Sequence, residues 1–394
     1  MNEPTIRRKF GYVDLEDNSN KWWMVEHWAD GKTVTTFGRV GYTAPPSEKN
    51  MTEHEVDRLI SSKMNKGYKE ISLLKVSTTP QLINFSGQVG TYVNALLSEA
   101  GEAIKGFLSV SIDDLSEDQI NKGRAILANF NTMLVKSKTV TAKYMKNSIY
   151  SVTTQMLIDK IEEYYTAIPT QLPHKIDPEE LAREFSLHLQ DEEDKLDQLQ
   201  AALKKKQPVI QGGQSSYNPL GDTSLEFLSS SSQQWQFIQK YLKQSSNKRL
   251  IDVVLVKIPR ERESFETTGI MVGGKTSLWH GTHNKNGVHI LRSGLIIPKY
   301  AANGSRFGRG IYFADKAARS INYTGYINQK FNMLFLCDVA LGKPKKLTGT
   351  DYSLNYAPAG YNSVWGAEAH SGMDEFIVYS PAQQTIKAIC FVER

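Results

Sequence analysis

The stretch Phe307-Gly-Arg-Gly-Ile-Tyr-Phe-Ala-Asp315 sets aromatic and polar side chains between glycines in a short strand pattern. Glycine beside a polar side chain lets a ligand approach the backbone closely, and a tyrosine ring offers a flat face to an aromatic heterocycle. Residues 278–282, 319–323 and 373–379 have a similar composition. Short strand patterns broken by Gly and Pro fill residues 217–394, so we predict a β-rich segment with a ligand site at its strand ends.

The first 80 residues predict a small β-rich module. An aromatic and β-branched run over 21–28 is followed by a turn at 29–32 and a second strand that ends near Phe37. Apolar residues at helical spacing then predict a helix over 52–64.

Residues 81–207 contain little glycine and show an apolar period near 3.6 residues, which predicts a helical bundle. Ser116 and Gln119 form a capping-box pattern at the start of one helix. A long helix is expected over 178–206, with residues 192–194 on a solvated face, and residues 211–216 read as a linker.

Composition and charge limit the classes of protein to consider. The 394 residues suggest two or three domains, and 40% hydrophobic with 23% charged residues is typical of a globular chain. Two distant cysteines, Cys337 and Cys390, exclude a disulfide framework and a cysteine zinc site. No membrane span or secretory signal is found, so we expect a soluble intracellular protein. The net charges of residues 1–80, 81–207 and 208–394 are +1, −4 and +8, which fits an anionic ligand in the last segment or solubility alone equally well.

Two short motifs have the letters of a functional site but not its structural context. Residues 269–276 match the letters of a phosphate-binding loop, but a polar segment precedes them and a strand pattern follows where a helix is needed. His280 and His283 have the spacing of metal ligands, but Gly281 places them at a strand end, and no third ligand follows at a known spacing. We therefore expect neither a nucleotide-hydrolysing site nor a metal.

Taken together, segments 280–282, 310–315 and 375–379 resemble the His-Tyr-Glu signature of the poly(ADP-ribose) polymerase family. The resemblance extends along the chain and implies an α+β multidomain protein. Residues 1–82 resemble a small β-rich WGR DNA-binding domain, and 85–207 an all-α helical regulatory domain that is autoinhibitory in the family. Residues 217–394 resemble the mixed β-sheet ADP-ribosyltransferase domain.

The family cleaves NAD⁺ at its nicotinamide–ribose bond and transfers ADP-ribose, so the resemblance implies NAD⁺ as substrate and no metal. It implies that Glu375 binds a ribose hydroxyl, stabilises developing positive charge and favours polymer synthesis. His280 and Tyr312 complete the implied catalytic set. The implied NAD⁺-binding residues are Gly281 and Ser320 at the nicotinamide amide, Tyr323 opposite Tyr312 at its ring, Thr282 beside His280 at a ribose, and Phe313.

The resemblance of the front modules implies activation by DNA ends or nicks bound through residues 1–82, where Phe37 replaces the usual tryptophan beside Arg39. Acceptor proteins, including the chain itself, are the other implied partners, and no membrane is involved. The implied location is the nucleus in a eukaryote, and otherwise the cytoplasm near DNA. Two alternatives stay open at this point: transfer of single ADP-ribose units, and a non-catalytic module that binds NAD⁺ or ADP-ribose.

Overall fold

The computed structural model describes residues 3–39, 42–71, 81–82, 87–108, 115–141, 148–172, 177–204, 209–211, 214–300, 305–325, 331–370 and 372–394. The chain divides into two compact units. Residues 1–79 and 103–207 form one unit, and residues 80–102 and 208–394 form the other. The predicted domain ranges 1–82, 85–207 and 217–394 stay predictions.

The N-terminal module is an antiparallel sheet with one helix. Its elements are β1 (Ile6–Asp14), β2 (Ser19–His27), β3 (Lys32–Arg39), β4 (Tyr42–Thr43), β5 (Ser47–Asn50), α1 (Glu53–Asn65) and β6 (Lys69–Ile71). Thr52 caps α1 in a capping box with Glu55, as the expected helix start requires. Phe10, Trp23 and Val25 of the sheet pack with Val56 and Ile60 of α1 in one buried cluster.

The middle of the chain is helical. It contains β7 (Gln81–Leu82), α2 (Gly87–Phe107), α3 (Glu117–Thr141), α4 (Ser148–Ala167), α5 (Pro178–Leu187) and α6 (Leu189–Lys204). The predicted capping box is confirmed, because Ser116 N donates to Gln119 Oε1 at 2.9 Å and Gln119 N donates to Ser116 Oγ at 3.2 Å.

Two expectations for this region are wrong. The helix predicted over 178–206 is broken at His188, whose φ of −117° ends α5 before α6 begins. The residues expected on a solvated face are partly buried, since Glu192 and Glu193 are only 6% and 1% exposed. Lys195 pairs with Glu192 at 2.6 Å, and Arg124 of α3 pairs with Glu193, so countercharges permit this burial.

The C-terminal segment carries most of the strands. Its elements are β8 (Val209–Gln211), β9 (Gln214–Tyr217), β10 (Ser224–Leu228), α7 (Gln233–Lys243), β11 (Leu250–Lys257), α8 (Pro259–Thr267), β12 (Lys275–Gly281), α9 (Gly287–Ser293), β13 (Ile311–Phe313), α10 (Ala317–Ile321), β14 (Asn332–Ala340), β15 (Pro344–Leu347), β16 (Ser363–His370), β17 (Met373–Val378) and β18 (Gln384–Val392). The expected linker at 211–216 contributes instead to paired strands, with Gln211 opposite Gln214.

Two sheets of the C-terminal segment build the scaffold of the site. The first has the order β10-β11-β18-β14-β12, and the second has the order β13-β17-β16-β15. A bridge between Trp279 and Ala314 connects β12 to the residue that follows β13. Strand β14 is buried at all nine positions, including the polar Asn332 and Asp338.

The first part of α2 packs into the core of the C-terminal segment. Tyr92, Val93 and Leu96 lie in the same buried cluster as Phe335 of β14 and Phe391 of β18. Among the described residues, no helix is both long and apolar enough to cross a bilayer.

Candidate active site

Three strands bring His280, Tyr312 and Glu375 into one region. Strand β13 pairs with β17, so that Phe313 lies opposite Phe376, the neighbour of Glu375. Backbone hydrogen bonds of 2.8 and 2.9 Å between Trp279 and Ala314 place the end of β12 beside β13. The arrangement therefore assembles the three predicted catalytic residues from segments far apart in sequence.

His280 is held in one orientation by the backbone. Its Nδ1 lies 2.8 Å from the carbonyl oxygen of Tyr312, which can only accept a hydrogen bond. Burial lowers the pKa of the imidazole, with the Tyr312 carbonyl opposing this shift. The neutral ring thus carries its proton on Nδ1, and Nε2 is left to accept a hydrogen bond from a ligand hydroxyl.

Tyr312 is fixed through its hydroxyl. The phenol donates to the Gly308 carbonyl at 2.7 Å and accepts from Phe307 N at 2.9 Å. Burial raises the pKa of this phenol, so it stays protonated. Tyr312 therefore offers a ring in a fixed position rather than an acid or base.

Gly281 lies directly against the backbone of α10. A Cβ at this position would overlap the carbonyl oxygen of Ser320, so no side chain fits. Ser320 is 3% exposed. The structure thus brings together the two residues predicted to hold the nicotinamide amide.

Glu375 lies at the centre of a buried polar cluster. It is 2% exposed, and its Oε1 accepts from Arg319 Nε at 3.0 Å and from Arg319 Nη2 at 2.6 Å. Tyr323 also donates to Oε1, at 3.4 Å. The other carboxylate oxygen, Oε2, is buried and has no hydrogen-bond partner among the described residues. Such an oxygen can accept a hydrogen bond from a water molecule or a ligand.

Arg319 is a site residue that the sequence analysis did not single out. It is 6% exposed and bonds Tyr323 Oη at 2.6 Å, with its guanidinium 4.9 Å from the centre of that ring. The signal was its spacing of four residues from Tyr323, which puts both side chains on adjoining turns. Burial raises the pKa of Tyr323, and the Glu375 charge adds to this.

The other predicted NAD⁺ residues have clear local roles. Thr282 Oγ1 accepts from Asn286 Nδ2 at 3.0 Å. Phe313 is buried in the main core cluster.

In the part of the chain that the structure describes, there is no group of three or more His, Cys, Asp or Glu side chains that could hold a metal ion.

The predicted DNA-binding residues lie on β3 in the N-terminal module. Phe37 is 49% exposed, which leaves its ring available to a partner. Arg39 Nη2 donates to the backbone oxygen of Asn18 at 2.6 Å and to its side-chain oxygen at 3.0 Å. Asn18 has a left-handed φ of 48°, so Arg39 stabilises the turn between β1 and β2.

The predicted strand that follows Gly273 and Gly274 is present. Gly273 and Gly274 have φ of +80° and +61°, but strand β12 begins directly at Lys275, where such a loop needs a helix. The Lys275 ammonium pairs instead with Asp338 at 2.8 Å.

The segment that holds this cluster matches a known domain family. Residues 232–380 match the poly(ADP-ribose) polymerase catalytic domain. This range contains His280, Tyr312, Arg319, Tyr323 and Glu375.

The similar proteins include a poly(ADP-ribose) polymerase and two mono-ADP-ribosyltransferases. Poly [ADP-ribose] polymerase 2-A of Oryza sativa subsp. japonica is 26% identical over 86% of this chain and 50% of its own length. Protein mono-ADP-ribosyltransferase PARP4 of Homo sapiens is 28% identical over 77% of this chain and 18% of its own length. Protein mono-ADP-ribosyltransferase PARP3 of Mus musculus is 37% identical over 36% of this chain and 27% of its own. The chain thus spans half or less of each of these relatives.

Proposed function

We propose that this protein cleaves NAD⁺, releases nicotinamide and transfers ADP-ribose to proteins, including itself, and that it extends the product into poly(ADP-ribose) when it binds DNA breaks. The observation that carries the proposal is the buried Oε2 of Glu375, which has no hydrogen-bond partner among the described residues and lies in the cluster that also holds Tyr323. That oxygen can accept a hydrogen bond from a ribose hydroxyl of NAD⁺.

The site residues suit different parts of the NAD⁺ molecule. The Gly281 backbone and Ser320 would hold the nicotinamide amide, Tyr312 and Tyr323 would flank its ring, and His280 Nε2 with Thr282 would hold the other ribose. As the bond from ribose C1′ to nicotinamide breaks, its electron pair leaves with nicotinamide. The Glu375 carboxylate then stabilises the positive charge on the ribose.

Chain extension uses the same carboxylate in a second role. The acceptor is a ribose hydroxyl of ADP-ribose already attached, and its oxygen forms the new bond to C1′. The hydroxyl proton passes to Glu375 Oε2, the free oxygen of the pair. A carboxylate at this position supports polymer synthesis over single transfer.

The N-terminal module supports the DNA part of the proposal less directly. The exposed Phe37 ring can stack on a sugar at a DNA end, while Arg39 is engaged with Asn18 and would orient the turn beside it. Stimulation requires that DNA bind the active state more tightly than the inactive state. The protein would then act where DNA is, in the nucleus of a eukaryotic cell.

The test measures nicotinamide release and incorporation of ³²P-labelled NAD⁺ by the purified chain, with and without nicked or blunt-ended DNA. DNA-dependent ladders are expected for the wild type. Glu375→Gln should abolish the ladders but keep NAD⁺ binding, whereas Lys275→Ala, outside the cluster, should leave both unchanged.

Each part of the proposal has its own contrary result. A single modified band would restrict the protein to mono-ADP-ribosylation. Equal activity with and without DNA would remove the regulatory part. If NAD⁺ binds without any turnover, the enzymatic proposal fails and a binding module remains.

A further inference from the structure

We infer that Arg319 is a positioning residue that orients both Glu375 and Tyr323, so that only Oε2 of the carboxylate faces the substrate. This inference rests on the proposed function and assigns a role within that site. It follows from how the hydrogen bonds divide between the two oxygens of one buried carboxylate.

The two oxygens of Glu375 differ in their surroundings. Oε1 receives both Arg319 contacts, at 3.0 and 2.6 Å, and the Tyr323 hydroxyl at 3.4 Å. A carboxylate oxygen has about two lone-pair sites, so these donors saturate Oε1. Oε2 is buried without a partner in the described part of the chain, and it is the oxygen left for a substrate hydroxyl.

Arg319 also fixes the ring proposed to stack on nicotinamide. Its Nη2 bonds the Tyr323 hydroxyl at 2.6 Å, and its guanidinium lies 4.9 Å from the ring centre. The Arg319 guanidinium thus bonds the Glu375 carboxylate through Nε and Nη2, and the same Nη2 bonds the Tyr323 hydroxyl. The angle between the ring and the carboxylate therefore depends on Arg319.

Lysine cannot replace this arrangement. A guanidinium presents five donors in a rigid fork, whereas an ammonium is a compact charge on a flexible stem. Arg319→Lys would keep the positive charge beside Glu375 but lose the two-point contact. The substitution therefore separates positioning from charge.

The experiment compares wild type, Arg319→Lys, Tyr323→Phe and the double variant in the full chain with DNA. It measures kcat and KM for nicotinamide release, the affinity for free nicotinamide by calorimetric titration, and thermal unfolding. Arg262→Lys is the matched control, because this arginine pairs with Glu266 on the surface, with a 51% exposed side chain.

We expect Arg319→Lys to lower kcat about 100-fold, the loss that a misplacement of about 1 Å causes. Nicotinamide affinity should fall several-fold, since the ring loses its support, while the unfolding temperature stays near that of wild type. Tyr323→Phe should have a smaller effect on kcat, and the two losses should not add, because both act through one cluster. Arg262→Lys should match wild type in every measurement.

Arg319→Met combined with Glu375→Gln guards against a purely structural explanation. Removing both charges leaves no buried unpaired ion, so this variant should fold. If it folds, the charged pair is not required for folding, and a 100-fold loss of kcat in a folded Arg319→Lys then comes from the site.

Wild-type kcat and nicotinamide affinity in Arg319→Lys would overturn the inference. So would a loss of kcat that only follows the fraction of unfolded protein. Failure of the proposed function has a different result, namely no nicotinamide release by wild type with any DNA. In that case the titration still decides, because equal nicotinamide affinity in wild type and Arg319→Lys contradicts a role in positioning Tyr323.

Discussion

Substitution of Tyr92 in α2 tests whether this helix is a structural part of the catalytic unit. The Tyr92 ring stacks on Phe391 with centroids 3.7 Å apart and meets the edge of Phe331 at 5.3 Å. Its hydroxyl donates to the carboxylate of Asp252, and burial raises the pKa of this phenol. The side chain is 9% exposed.

The structure predicts different losses of unfolding free energy for two substitutions of Tyr92. Tyr92→Phe removes a hydrogen bond to a charged group, and such a bond contributes about 1.5–3 kcal/mol to stability. Because the half-buried Asp252 can bind water instead, we expect the free energy of unfolding to fall by about 1.5 kcal/mol. Tyr92→Ala also empties an aromatic site in the core, which costs about 3–5 kcal/mol. For a unit of about 200 residues, each kcal/mol lowers Tm by about 2–4 °C.

Differential scanning calorimetry of the full chain measures both effects. The transition of the unit that contains residues 208–394 should fall by about 3–6 °C in Tyr92→Phe and by about 9–26 °C in Tyr92→Ala. Asn94→Ala, at an exposed position of the same helix, is the control and should shift Tm by less than about 1 °C. An unchanged transition in Tyr92→Ala, or an equal loss in Asn94→Ala, would refute the packing argument.

Three further substitutions test other parts of the structure. Gly281→Ala should abolish nicotinamide release, because the new Cβ overlaps the Ser320 carbonyl, whereas Gly349→Ala, with nothing within 4 Å, should be neutral in the same assay. Burial lowers the pKa of His280 in the folded protein below 6.5, its value in the unfolded chain. At a pH between these two pKa values, the unfolded chain therefore binds more protons than the folded protein. The unfolding free energy should therefore fall as the pH drops below 6.5, and urea titrations should show a shallower fall in His280→Gln. Arg124→Met removes the cation beside the buried Glu193 carboxylate and should lower the free energy of unfolding in urea by about 3–5 kcal/mol. Arg183→Met, which removes an exposed pair with Glu184, should lower it by less than about 1 kcal/mol, and similar losses in the two variants would contradict the burial argument.

The strands, and the three segments that hold His280, Tyr312 and Glu375, could be predicted because their signals are local. Strand β14 contains the apolar run from Met333 to Cys337 and is buried throughout. His280, Tyr312 and Glu375 each lie in a short segment of characteristic composition, and a motif of this kind can be recognised without knowing what packs against it. Regular periodicity and turn residues thus account for most of the correct expectations.

The polar contacts between distant segments could not be predicted in this way. Arg319 and Glu375 are 56 residues apart, and Arg124 and Asp197 are 73 apart. In a helical wheel, Glu192 and Glu193 look like solvent-facing residues, because the wheel omits the arginine on a neighbouring helix. Burial of a charge depends on its partner, and the partner is chosen by tertiary packing.

The packing of α2 also bears on how the helical segment relates to catalysis. Residues 87–102 of this helix group with the catalytic unit, and residues 103–107 group with the other unit. Periodicity assigns the whole helix to the bundle, since every turn has the same apolar spacing. A catalytic fragment that began at residue 217 would lack Tyr92, Val93 and Leu96, and would expose Phe391 to water. The catalytic unit therefore requires chain from before the bundle, and its stability is set in part by a helix that the sequence pattern assigns elsewhere.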